Sequence, residues 1–293
     1  MKVHVVTSSN RHLYDAEMIE FFRVRHAIYV EEKQWREDAG TGMEVDQFDT
    51  ERAVYLLGID GDEIIAGSRL LSTMVPHMLS EVFPTTCRFT GVVRRPDVAE
   101  WTRGFVVKEH RHGPIKAQIC AAVMEYCLSE RISWVGGIQD GYWLPFWRRM
   151  GWTVVPIGQP EMVGGRRCFS AYMEVTQQAL ESARRQGNLD RSNLVHNGPR
   201  EPFILSDEPD RAAGSTKLPL RINQRASLEY IRDMLLELRD MAGTSRLPAI
   251  TYFIEMALME ASDTVRLNHQ VEKAREESPV MQAARAITGR RLA

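Results

Sequence analysis

The chain has 293 residues, with 37 basic against 39 acidic side chains, a near-neutral balance that excludes binding a polyanion by bulk charge. No apolar run approaches the ~20 residues of a membrane-spanning helix. MKVHVVTSSN lacks the basic-then-apolar layout of a signal peptide, so a cytoplasmic protein with no nucleic-acid or membrane partner is expected. Cys87, Cys120, Cys127 and Cys168 form no CxxC pair and no zinc-type spacing with histidine, so buried thiols and no metal are expected.

In chain order, Val3 to Thr7 alternates like an edge strand, and Tyr14 to Val30 predicts a helix. Met18, Phe21, Phe22, Arg25 and Tyr29 recur at helical spacing, which puts an arginine on or beside a core-facing stripe. Such an arginine needs a buried partner or a ligand. Ala53 to Ile59, the turn Asp60-Gly61-Asp62 and Ile64 to Leu71 read as a hairpin, with Arg69 near its end. Met74 to Pro84 is a loop with one helical turn, and Thr85 to Asp97 is turn-rich. Glu100 to Val107 returns to strand. Simple alternation sets Glu100, Thr102 and Gly104 on one face and Trp101, Arg103 and Phe105 on the other, unless Gly104 forms a bulge.

Ile115 to Ser129 predicts a helix with an apolar row at Ile115, Ile119, Val123 and Cys127. Ile132 to Ile138 is a strand and Tyr142 to Met150 a short aromatic helix. Thr153 to Ile157 and Cys168 to Val175 are two further strands, joined by a Gly/Pro-rich loop. This alternation implies an α/β sandwich around one mixed sheet, closed by a polar helix from Gln177 to Gln186. Residues 187–223 have a linker composition. Ser227 to Met241 and Ala249 to Val265 then form a C-terminal α-helical hairpin within a unit spanning 224–293, frayed beyond Glu277. Two helices alone bury little apolar surface, so the hairpin should dock on the first domain, on a second copy or on a partner.

The chemistry concentrates between Phe21 and Asp49. Arg25, Tyr29 and Trp35 lie along and just past the first helix, and Asp46 and Asp49 follow with Phe48 between them. Carboxylates for an ammonium, arginine for a carboxylate and rings for a soft cation suit a cationic, zwitterionic ligand. Alone, the stretch favours a plainer reading, a surface helix with a solvated charged face and two half-buried aromatics. Further on, the backbone amides of HRHG (His110 to Gly113), at a helix N-terminus, suit a pyrophosphate or phosphopantetheine. With the later WRRMGW, that stretch resembles the GNAT-type N-acyltransferase fold, a three-layer sandwich around a mixed, V-shaped sheet.

Combined with the opening cluster, the pattern is more specific. Arg25, Tyr29, Trp35, Asp46, Asp49, Arg69 in GSRLL, Phe83 in MLSEVFP, and Glu100 and Arg103 in EWTR fall in the order seen in acyl-homoserine-lactone synthases. These are the autoinducer synthases of bacterial quorum sensing, and the resemblance covers about residues 1–175, within a catalytic domain expected at 1–186. Tyr29 stands where that family usually has phenylalanine, and Gly104 where an aromatic is usual. The resemblance implies S-adenosylmethionine and an acyl thioester, on acyl carrier protein or coenzyme A, as substrates, with no permanently bound cofactor.

It further implies Glu100 as the base, Thr102 orienting the attacked carbonyl, and Arg103 beside them. Arg25, Tyr29, Trp35, Asp46, Asp49, Arg69 and Phe83 would surround S-adenosylmethionine. Trp101, Phe105, Val106, Arg111, Gly113, Tyr142 and Trp143 would take the acyl chain and phosphopantetheine arm. Aromatic bulk from these residues with Phe146 and Trp147 would favour a short, branched or aryl acyl group. Structural alternatives stay open: Asp46 as a turn cap, Arg69–Glu100 as an interstrand ion pair, Phe83 as plain core, and Arg25, Asp46, Asp49, Arg69, Glu100 and Arg103 as a partly mutually neutralising network. So do two other functions, an ordinary acetyl-CoA-dependent N-acyltransferase and an interaction protein acting through its C-terminal helices.

Overall fold

The computed structural model describes residues 1–141, 143–203, 224–244 and 247–276. In chain order the first unit runs β1 (Lys2–Val6), α1 (Asp15–His26), β2 (Val54–Asp60), β3 (Glu63–Ser72), α2 (Met78–Glu81), β4 (Val98–Val106) and α3 (Ile115–Ser129). It continues with β5 (Trp134–Asp140), α4 (Trp143–Arg149), β6 (Val154–Pro156), β7 (Glu161–Val163), β8 (Arg166–Glu174), α5 (Gln177–Gln186) and β9 (Leu194–Val195). The strands lie in the order β6-β8-β5-β4-β3-β2-β1-β9, with β7 paired to β8. β4–β5 and β1–β9 are parallel and the other pairs antiparallel, so the sheet is mixed.

Alternation along the strands sorts side chains into two cores, as the period of two requires. Tyr55, Leu57, Leu71 and Phe105 pack with Phe21 and Phe22 of α1. Val54, Leu56, Leu70 and Ala99 pack with α3, α5 and Trp147 of α4. Helix, sheet and helix thus make the three layers expected from the sequence. The central seam matters most for function. β4 and β5 pair only over Val98–Glu100 and Trp134–Gly136, yet β4 continues to Val106 and β5 to Asp140. Beyond Glu100 each strand keeps its outer neighbour, β3 or β8, and the two diverge. The sheet opens there as a V.

Three local expectations change. Val3–Thr7 is not an edge strand: β9 pairs alongside β1, through Val3↔Leu194 and His4↔Val195. That strand falls in the stretch with linker composition. Residues 187–203 are instead tied to the first unit, by Asn10 Nδ2 donating to the Asn197 carbonyl (2.8 Å) and the Phe203 amide donating to Glu130 (3.0 Å). β7 occupies what reads as a Gly/Pro-rich loop. Such two- and three-residue strands carry no period of their own; their neighbours hold them.

The second unit, from Leu220 on, contains α6 (Gln224–Thr244) and α7 (Pro248–Glu276), both longer than the sequence pattern indicates. Ala242 and Ala261 are buried, while Ile231, Met241, Phe253, Met256 and Met259 are exposed. The expected fraying beyond Glu277 and the remainder of the linker, 204–223, lie outside the described residues. Among the described residues, no helix is long and apolar enough to cross a membrane.

Candidate active site

The first component of the site is the exit from α1. Instead of ending at His26, the chain continues through a wide π-turn over Ala27–Glu32. The Lys33 amide donates to Ile28 O and the Trp35 amide to Tyr29 O, each at 2.9 Å, and Gln34 takes the left-handed φ of 53°. Wide turns of this kind recur at functional positions. Here the turn folds Trp35 back onto Tyr29, with ring centroids 5.6 Å apart and planes inclined at 34°. The Tyr29 hydroxyl donates to Gly104 O (2.9 Å), fixing the platform to β4.

Behind the platform lies a closed ionic network. Arg25 donates through Nη1 and Nη2 to Asp49 (2.8 and 2.9 Å) and through Nε to Glu44 (2.7 Å). Arg69 Nη1 donates to Asp46 (2.6 Å) and Asp49 (2.8 Å), and its Nε to the Thr102 hydroxyl (3.2 Å). Arg103 Nη2 reaches Glu44 (2.8 Å) and Asp46 (2.6 Å). Three guanidiniums meet three carboxylates, and the Arg25 and Arg69 side chains are fully buried. Burial alone would raise the Asp49 carboxyl, but Arg25 and Arg69 hold it well below the usual carboxylate range. Asp46 is likewise depressed, with Arg69 and Arg103 outweighing burial. The Asp46 side chain also accepts from the Phe48 amide (2.8 Å), the turn-capping role that the sequence left open.

A bulge in β4 completes the network. Gly67 pairs with Phe105 and Arg69 with Thr102, so two steps along β3 face three along β4. The extra residue lies at Arg103-Gly104, where Arg103 adopts φ 53°. Simple alternation would send Arg103 and Phe105 to the Trp101 face. The bulge turns Arg103 toward Glu44 and Asp46, and Phe105 packs on Phe21 with centroids 5.5 Å apart. Both therefore join Thr102, contrary to the alternating assignment.

Glu100 is fully buried at the last β4–β5 pair. It does not pair with Arg69. Its Oε2 and Oε1 accept the amides of Met78 (2.8 Å) and Leu79 (2.7 Å), capping the first turn of α2. Burial pushes its carboxyl up to about 7, against the downward pull of those amides. A carboxyl poised there can take a proton near neutral pH.

The opened seam holds a cleft of about 400 Å³, within the size range of small-ligand sites. Tyr29, Lys33, Trp35, Phe83, Thr102 and Arg103 line it together with Trp101, Val106, Ile119, Cys120, Trp143 and Trp147, and Phe105 and Met78 also reach it. Trp143 stacks on Trp147 (5.2 Å, 14°), and Trp101 tilts against Trp147 at 5.7 Å. Nine of the sequence-derived candidates thus reach one cleft: Tyr29, Trp35, Phe83, Trp101, Thr102, Arg103, Phe105, Val106 and Trp143. Arg25, Asp46, Asp49, Arg69 and Glu100 stand one layer behind it, bonded to each other or to backbone.

Arg111 and Gly113 do not line the cleft. Arg111 forks onto Glu32 (2.6 and 2.7 Å) and donates to Val106 O. The amides of His110, Arg111 and Gly113 donate within their own turns. Tyr142 lies outside the described residues. Sequence reasoning passed over two contributors. Glu44 had a readable signal, since two aspartates cannot neutralise three arginines and Glu44 alternates with Asp46. Lys33 had none, because its place depends on the wide turn.

An autoinducer synthase family model matches residues 9–183. The isovaleryl-homoserine lactone synthase of Bradyrhizobium diazoefficiens is 39% identical over 183 residues, covering 61% of this chain and 82% of that protein. Among solved structures, the CoA-dependent acyl-homoserine lactone synthase BjaI, with SAM and isopentyl-CoA, superposes with a TM-score of 0.66 at 35% identity, over 69% of this chain and 96% of its own. The CoA-dependent synthase MesI does so at 0.62 and 32%, over 66% and 98%. A cleft in a split sheet, an aromatic platform braced by buried arginine–carboxylate pairs, and matches spanning nearly all of the first unit agree: the chain belongs to the autoinducer synthase family of acyl-homoserine-lactone synthases.

Proposed function

We propose that this enzyme acylates S-adenosylmethionine with a short, branched or aryl acyl-CoA and closes the product to an N-acyl-homoserine lactone. The observation that carries this reading is the composition of the seam cleft. It combines cation-receptive and polar side chains (Tyr29, Trp35, Thr102, Arg103) with a cluster of packed tryptophans (Trp101, Trp143, Trp147). The sulfonium lies on the Tyr29–Trp35 rings, where an aromatic quadrupole attracts a soft cation. Arg103 steers the carboxylate and Thr102 the attacked carbonyl. Arg25, Arg69, Asp46 and Asp49 act by bracing Arg103 rather than by holding substrate.

The α-amine nitrogen attacks the thioester carbonyl, its proton passes through water to Glu100, and the carbon–sulfur bond breaks to release the coenzyme A thiolate. The methionine carboxylate then attacks the γ-carbon. The bond from that carbon to the sulfonium breaks, its electron pair stays on sulfur, and neutral methylthioadenosine leaves. Support for coenzyme A rather than acyl carrier protein as donor comes from the two solved relatives described as CoA-dependent. Support for a compact acyl group comes from the tryptophan wall and the isovaleryl relative. The α6–α7 pair serves association, as a homodimer or with a partner protein, and the enzyme works in the cytoplasm.

Incubation with S-adenosylmethionine and isovaleryl-CoA tests the reaction. Methylthioadenosine and lactone appearing in equal amounts is the expected result. Acyl transfer without methylthioadenosine would identify an ordinary N-acyltransferase instead.

A further inference from the structure

The Tyr29–Trp35 platform already carries a cation of its own. Lys33 ends the wide turn, and its Nζ lies 4.3 Å from the Trp35 ring centroid and 4.9 Å from that of Tyr29. Both distances are within cation–π range. The same turn that stacks the rings therefore sets an ammonium on them, and Lys33 lines the cleft. An ammonium and a sulfonium cannot share that space, because they compete for the same electron-rich faces and repel each other.

We propose that Lys33 is a resident cation on the platform which the sulfonium of S-adenosylmethionine must displace, so that this side chain sets the enzyme's affinity for that substrate. The inference rests on the reading that the sulfonium sits on Tyr29 and Trp35. Lys33 lies on a four-carbon stem and, among the described residues, no carboxylate is clamped to it, so it can swing off the rings without breaking the buried network. Its surroundings favour departure. Burial, then Arg111 and Arg166, bring its pKa down to about 8, with Glu32 and Asp140 opposing. Arg103 stands 5.3 Å over the Tyr29 ring and Arg166 6.0 Å over that of Trp35, and Arg36 lines the same cleft. Between pH 7 and pH 9 Lys33 passes through that pKa and gives up its charge.

The test compares dissociation constants for S-adenosylmethionine and S-adenosylhomocysteine, by calorimetry on the full chain, at pH 7 and pH 9. S-Adenosylhomocysteine has the same amine and carboxylate without the sulfonium, so the ratio of the two constants isolates the cation. In the wild type that ratio should shift toward S-adenosylmethionine at pH 9. Lys33→Met should tighten S-adenosylmethionine about three- to fivefold at pH 7, the equivalent of one exposed cation–π contact, and remove the pH shift. Lys33→Arg should bind S-adenosylmethionine weakly at both pH values. An unchanged or weaker S-adenosylmethionine affinity in Lys33→Met overturns the inference. Trp35→Leu separates that failure from failure of the platform reading. If it leaves the ratio unchanged, the sulfonium is not on the rings and both ideas fall; if it weakens S-adenosylmethionine selectively while Lys33→Met does nothing, only the lysine role falls.

Discussion

Glu100 combines a raised pKa with two accepted backbone amides, and a base and a positioning residue would each use one of these features. Glu100→Gln separates them. If proton removal is the role, kcat falls by about 10²-fold at pH 8, in line with general-base contributions. The wild-type rate should then rise as pH increases through about 7, and the variant should lose that limb. A role confined to capping α2 would leave the limb in place. The linkage has a definite sign. Because burial raises this acid's folded pKa, the wild type is stabilised at low pH and loses that contribution as pH rises toward 7. Thermal melts should therefore show Glu100→Gln gaining on the wild type between pH 5 and pH 8.

Asp49 behaves in the opposite way. Its pKa is depressed, so its contribution is present above the unfolded value of 3.8 and is lost as pH falls through the folded value. Asp49→Asn leaves Arg25 and Arg69 short of a buried counter-charge, at a cost of about 3–5 kcal/mol. The melting temperature should drop by roughly 10 °C at pH 7, and the gap should narrow below pH 4. Arg25, Asp46, Asp49 and Arg69 were readable in the sequence as a cluster. Their bracing of one another was readable only as an alternative to holding substrate, because the choice depends on Glu44 and on a strand bulge.

At the scale of elements, the split between β4 and β5 and the bulge at Arg103-Gly104 make the site. Periodicity was enough for α1, the β2–β3 hairpin and α3, whose apolar spacing repeats over several turns or alternations. It failed where backbone geometry, rather than burial, sets direction. Alternation alone cannot place Arg103, since one extra residue reverses every side chain after it. The wide turn after His26 is likewise invisible, because a helical pattern through Tyr29 fits an α-helix and a π-turn equally. Deleting Gly104 tests the element directly. With the bulge removed, Arg103 should turn away from Asp46, and KM for S-adenosylmethionine should rise about tenfold or more, the loss of one charge-assisted contact. An unchanged KM would mean that the bulge does not aim Arg103.

Across the whole molecule, the site and the helical pair fall in separate units. The first unit contains the cleft and the network, and residues through Phe203 are bonded to it. The helical pair is a distinct unit in which, among the described residues, Ile231, Met241, Phe253, Met256 and Met259 are exposed while Ala242 and Ala261 are buried. A chain ending after Phe203 should keep its rate of methylthioadenosine release and change its sedimentation behaviour. Loss of turnover with an intact fold would place part of the chemistry in the helices. The composition change that separates the units was legible, whereas the short return strand β9 was not.

In the proposed reaction the amine of S-adenosylmethionine meets a thioester inside the β4–β5 seam, with the acyl group against Trp101, Trp143 and Trp147. Steady-state kcat/KM across acyl-CoA donors of increasing length probes it most directly. A maximum at short branched or aryl donors is expected, moving to longer chains when Trp101 or Trp143 is cut to alanine. A wild-type maximum at long straight or 3-oxo chains, unmoved by either substitution, would contradict it.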